Sequence, residues 1–262
     1  MQNSILEMAR PVIGMIHLLP LPGSPGYEKD MGRVRERAIR DAQNLAEGGV
    51  DALMMENFGD SPFFPGRVPA EVVSHMTALA VAIRRVTTLP LGINVLRNDG
   101  MSAMAIAHAC GAQFIRVNVL SGARVTDQGL IQGISHDLLR YRKSIGAASI
   151  HILADVDVKH SVPLAARPIE AEVHDMVDRG GADAIVVSGV ATGSPPDPET
   201  LERARAAAGK APLFIGSGVT PETARSFAAL GVGLIVGSAL KTDGKPTSPV
   251  DPERVRAFMK AV

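Results

Sequence analysis

The stretch GGVDALMMEN, beginning at Gly48, returns as CGAQFIRVNV from Cys110, GGADAIVVSG from Gly180 and LGVGLIVGSA from Leu230. The four align without gaps, each running from a small-residue helix end into a short apolar strand. Such recurrence predicts every second strand of an architecture built from repeated two-strand units. Between these phrases the chain keeps alternating short apolar runs with stretches of helical period, the pattern of a parallel sheet with crossover helices. Strands are expected near residues 12–17, 51–56, 91–95, 114–118, 151–157, 184–188, 213–216 and 234–237. In the first helix Met31, Val34, Ala38, Ala42 and Leu45 share one face, and Gly48 with Gly49 ends it. In the second, Val72, Val73, Met76, Leu79, Ala80 and Ile83 do the same, while Asn98 or Asp99 caps the third and Pro168 and Pro221 suit first-turn positions.

These elements predict an α/β fold, a (β/α)₈ barrel, spanning residues 1–262 as one domain. The length of 262 residues suits that fold, which typically takes about 250. A doubly wound open sheet is the alternative, distinguished because it does not pair the last strand with the first. In the gapless alignment Glu56, Asn118, Ser188 and Ser238 share one position at the carboxyl ends of their strands, facing the barrel mouth.

Composition narrows the function. Hydrophobic residues make up 46%, charged residues 21%, and the formal net charge is zero, so nucleic acid is not an expected partner. The single cysteine, Cys110, closes an apolar helix, forms no intrachain disulfide and suits a reducing, cytoplasmic setting. No secretory signal and no transmembrane run are recognised, which leaves a soluble protein with peripheral membrane association still open and a homo-oligomer compatible.

The strongest chemical signal is IGSGVTPETA from Ile215, followed by IVGSALK from Ile235. Gly216, Ser217 and Gly218 end one strand before a helix opened by Thr220 and Pro221, and Gly237 with Ser238 follows the last strand. Missing side chains let backbone N–H groups approach an anion, and a helix N-terminus adds partial positive charge. The loops after strands seven and eight are where this fold commonly holds phosphate, so a phosphorylated small molecule is the expected ligand, with FMN able to use the same cradle.

Alternation along HILADVDVKH places His151, Leu153, Asp155, Asp157 and Lys159 toward the lumen and leaves Ile152, Ala154, Val156 and Val158 toward the helices. Arg116 and Asn118 face inward from strand four, so Arg116 can pair with Asp155, as structure or as catalysis. Asp155, Asp157, Lys159 and Glu56 form the candidate catalytic set, with His17, Asn94, Arg116, Asn118 and Ser188 as substrate contacts. The carboxylates should keep Lys159 charged, as a proton donor or an electrostatic stabiliser, with Asp157 or Asp155 as base. Glu56, Asp155 and Asp157 are also hard oxygen donors suited to a divalent cation such as Mg²⁺ or Mn²⁺. The segment from Ser121 to Gly133 and the phenylalanine-rich FGDSPFFPGRVP from Phe58 are expected to be loops at the rim.

Over nearly its whole length the sequence resembles the BtpA family, which includes proteins called SgcQ. The resemblance runs through HLLPLPGSP from His17, MENFGDSPF from Met55, GINVLRNDG from Gly92, RVNVLSGARVTDQGLIQG from Arg116, DVDVKHSVPL from Asp155, IVVSGVATGSPPD from Ile185 and GSGVT from Gly216. It implies a (β/α)₈ barrel and two competing roles. One is stabilisation of photosystem I proteins at thylakoid membranes, as a non-catalytic assembly factor. The other is sugar-phosphate uptake and metabolism, for which the resemblance implies no particular reaction; carbon–carbon lyase or aldose/ketose isomerase chemistry is what the residues at the barrel mouth lead one to expect. The resemblance carries over no catalytic residues.

Overall fold

A computed structural model describes residues 4–189 and 195–262. The central residues 190–194 of the IVVSGVATGSPPD stretch lie outside the described residues. Among the described residues eleven strands run in chain order as β1 (Val12–His17), β2 (Ala52–Glu56), β3 (Leu91–Asn94), β4 (Phe114–Val117), β5 (Ala123–Thr126), β6 (Gly129–Gln132), β7 (His151–Val156), β8 (Ser161–Pro163), β9 (Ala184–Val187), β10 (Leu213–Ile215) and β11 (Gly233–Val236). Eight of them close a parallel barrel in the order β1, β2, β3, β4, β7, β9, β10, β11, and β11 pairs back onto β1 through Ile13 and Ile235. This closure decides for the barrel over the open sheet. Each barrel strand lies within a residue of its predicted bounds.

The helices are α1 (Met31–Gly48), α2 (Ala70–Arg84), α3 (Gly100–Cys110), α4 (Ser135–Ser144), α5 (Ile169–His174), α6 (Pro198–Ala208), α7 (Pro221–Ala229) and α8 (Pro252–Ala261). Local chemistry sets their ends. Asp30 accepts the Arg33 N–H at the start of α1, and Gly49 closes that helix in the left-handed conformation. Asp99, of the two candidates, caps α3. Pro221 opens α7 as expected, whereas Pro168 stands one residue ahead of α5.

Two apolar layers result. Outward residues of the strands pack against the helices, and inward ones fill the lumen: Ile13, Met15, Ala52, Met54, Phe114, Leu153, Val186, Phe214 and Ile235. Gly92 and Gly233 face this interior because the Phe114 and Phe214 rings occupy the space their side chains would take. Among the described residues no helix is long and apolar enough to cross a membrane.

The segment expected as one long loop is a β5–β6 hairpin, turned at Asp127 and Gln128, and β8 adds to it as a third antiparallel strand. Its formation redirects the end of β7. Asp157 has φ 51°, so alternation stops there. Its exposed carboxylate pairs with Arg124 of β5 rather than facing the lumen.

Candidate active site

Above the apolar layer the next inward residues are polar. Register aligns His17 with Glu56, Glu56 with Asn94, and Asn94 with Arg116, so four adjacent strands present one ring at the carboxyl end of the barrel. Asp155 follows on β7. Arg116 grips it from two sides, Nε donating to Oδ2 at 2.9 Å and Nη2 to Oδ1 at 2.7 Å, and the Asn118 amide adds a bond of 2.8 Å to Oδ2. Ser188 reaches Oδ1 at 3.4 Å. Burial works against the Arg116 charge, but Asp155 outweighs it and raises the guanidinium's proton affinity. Asp155 is thereby committed to holding Arg116.

One cavity of about 590 Å³ opens from this ring to the surface. Its floor and one wall are His17, Glu56, Arg116 and Lys159, and its opposite wall is Gly216–Thr220 with Gly237 and Ser238. Asn94, Asn118, Asp155 and Ser188 are buried beside it and do not line it. Both glycine-rich loops therefore meet the titratable side chains of His17, Glu56 and Lys159 in one space. Gly216 is held to glycine by the Ser188 hydroxyl, 2.6 Å from where a Cβ would stand. Thr220 and Thr223 form a capping box at the start of α7. The Ser217 hydroxyl accepts the Gly189 N–H at 2.8 Å, which ties the loop after β9 to the cradle.

Burial raises the proton affinity of Glu56, with Lys159 and Arg116 opposing it. Burial, assisted by Arg116, lowers that of half-buried Lys159 against the pull of Glu56 and Asp155. Both groups are pushed toward their neutral forms.

Three expectations change. Asp157 leaves the catalytic set, and with it goes half of the carboxylate argument for a firmly charged Lys159. The trio Glu56, Asp155 and Asp157 cannot hold a cation together, since Arg116 covers Asp155 and Asp157 points outward; among the described residues no three His, Cys, Asp or Glu converge on a metal position. Ser238 is one residue out of phase with Glu56, Asn118 and Ser188. On β11 the inward residues are Gly233, Ile235 and Gly237, so Gly237 takes the equivalent place while Ser238 still lines the cavity.

Several contributors are absent from the sequence reading. Phe58 stacks on His17 with ring centroids 4.5 Å apart. Arg97, 4% exposed, donates from Nη2 to the Lys159 carbonyl at 2.5 Å and so positions the lysine's loop. Arg254 lines the cradle end of the cavity, as does Glu222. The GINVLRNDG stretch held the signal for Arg97, but an arginine there reads as exposed.

Comparison with known proteins agrees with this architecture. A native KDPGal structure matches the whole chain and 97% of its own, with TM-score 0.60 and 16% identity. N-(5'-phosphoribosyl)anthranilate isomerase from Pyrococcus furiosus matches 96% of this chain and 98% of its own, with TM-score 0.57 and 15% identity. At such identities the likeness is one of fold. The photosystem I biogenesis protein BtpA of Synechocystis sp. is 49% identical over 252 residues, covering 96% of this chain and 88% of that protein. The model of the BtpA family matches residues 8–262, and the chain belongs to that family.

Proposed function

We propose that the barrel mouth binds a phosphorylated sugar or related small phosphometabolite and carries lyase or isomerase chemistry on it. The observation behind this reading is the single cavity in which the glycine-rich loops after β10 and β11 face Glu56 and Lys159. The phosphate would rest on the loops around Gly218 and around Gly237 and Ser238 at the start of α7, since the Gly216 N–H is already given to the Val187 carbonyl at 2.8 Å. Glu56 takes part in proton transfer at the reactive end, and Lys159 or Arg116 stabilises developing negative charge. The phosphoribosyl substrate named for the anthranilate isomerase on the same fold supports a phosphate ester as ligand.

A thermal-shift comparison of phosphorylated sugars with their unphosphorylated parents tests the reading. A phosphate ester that binds stabilises the protein by about 2.7 kcal/mol at a hundredfold excess over Kd, and its parent does not. Ser238→Asp places like charge in the cradle and should abolish the shift. Equal binding by the folded variant would show that the cradle is misplaced.

The Synechocystis relative's name favours a second reading, an assembly factor for a membrane protein complex. Val125, Leu130 and Val162 lie side by side across the small sheet and are 42%, 48% and 60% exposed, a face on which a protein partner could sit. That reading takes over if no phosphate ester binds while a membrane protein copurifies.

A further inference from the structure

His17 lies where the two halves of the cavity meet. Its Nδ1 is 2.9 Å from the Pro246 carbonyl oxygen, which can only accept, so Nδ1 carries the hydrogen. The other edge of the ring faces Gly237, where a Cβ would stand 3.1 Å from Cε1 and 3.5 Å from Nε2. The missing side chain leaves that edge space. Glu56 Oε1 is 3.8 Å from Nε2, too far for a hydrogen bond and near enough to face a charge there. Phe58, stacked 19° from parallel, holds the ring plane.

We propose that His17 is the proton-accepting residue of this cavity, fixed as the neutral Nδ1–H tautomer with its Nε2 lone pair open beside Glu56 and Gly237. As a role in chemistry this rests on the cavity being a substrate site. A second proton on Nε2 would be buried among cations: Lys241, Lys159 and Arg116 act on the ring against the single carboxyl of Glu56. Burial first, and Lys241 next, hold the imidazole well below its ordinary proton affinity, and the Pro246 bond only partly offsets them. In the step this allows, a proton leaves a carbon or hydroxyl of the bound molecule for Nε2, and the bonding electrons stay on the substrate. Glu56, held toward its neutral form, returns a proton to another substrate atom and is left as the carboxylate facing the imidazolium. One proton enters the pair and one leaves it. Lys159 then acts as a charge stabiliser while the transfer runs between His17 and Glu56.

The experiment is ¹⁵N NMR of histidine-labelled, ligand-free protein, with the His17 signals assigned by their loss in His17→Gln. Should that variant fail to fold, contacts between His17 and the Phe58 ring protons make the assignment in the wild type. The expected spectrum has a pyrrole-type Nδ1 and a pyridine-type Nε2, unchanged down to about pH 6, where free histidine is already largely protonated. An Nε2–H tautomer, or an imidazolium at neutral pH, overturns the proposal. Because no ligand is present, this outcome is separate from the phosphate test. A neutral His17 in a protein that binds no phosphate ester would sink the substrate reading alone.

Discussion

Asp155 shows how one side chain decides what its neighbours can do. It is 2% exposed, and both of its oxygens are engaged by Arg116. Asp155→Asn keeps the shape but removes the carboxylate that the buried guanidinium is paired with, which should cost about 3–5 kcal/mol in urea unfolding. The double change Arg116→Met with Asp155→Leu should recover most of that loss if the pair serves only the fold. Recovery of stability together with retained ligand-induced thermal shift would take the pair out of the site. At this scale the sequence was partly legible. Arg116 and Asp155 face each other as strand alternation requires, since extended backbone repeats every two residues. Asp157 was not legible, because a positive φ depends on the hairpin that its carboxylate meets, not on its own neighbours in sequence. Arg97 and Lys241 were missed because charged side chains are ordinarily exposed, and only the fold shows them buried.

Elements were read more securely than side chains, since glycine turns and period-two runs bound each barrel strand locally. The failure in phase on β11 has a packing cause. Phe214 projects into the lumen next to Gly233, so inward positions on β11 fall on Gly233, Ile235 and Gly237, one residue earlier than the repeat implies. Gly92 stands in the same relation to Phe114, whose Cε2 is 2.0 Å from where a Cβ would be. Gly92→Ala should therefore destabilise the barrel by about 1–3 kcal/mol through overpacking. Phe114→Leu on its own should leave a cavity and destabilise as well. Combined, the two should be less harmful than their sum, and a double-mutant cycle in urea reads the coupling. Strict additivity would mean that the ring does not dictate the glycine. The third strand of the small sheet, β8, was hidden for a different reason: its pairing partner lies 35 or more residues away, as Thr126 opposite Ser161 shows, and no local signal marks it.

On the scale of the molecule, closing the barrel brings the first helix against the last loop. Asp41 of α1 accepts the Val250 N–H at 2.8 Å and Arg37 Nε at 3.0 Å, and Lys241 Nζ lies 3.7 Å from it. This couple backs the segment that carries Ser238 and supplies the Pro246 carbonyl to His17. Lys241 is fully buried with no hydrogen bond at Nζ, and burial pulls its proton affinity down to about 8 despite Asp41. The sign follows from proton uptake. Between about pH 8 and the ordinary lysine value the unfolded chain binds the extra proton, so stability rises with pH there; below about pH 8 both states are protonated and the penalty is complete. Lys241→Met should therefore stabilise the protein at pH 7 by on the order of 3 kcal/mol, an advantage that shrinks as the pH approaches the lysine's unfolded value. Asp41 keeps Arg37 and the Val250 N–H in that variant, so no carboxylate is stranded. Urea unfolding of wild type and Lys241→Met across this range measures the difference. A variant less stable than wild type at pH 7 would show that the ion pair with Asp41 outweighs the cost of burying the ammonium. A more stable variant would mean that the chain keeps this lysine at the expense of stability, and its place behind His17 and the cradle gives the site as the reason.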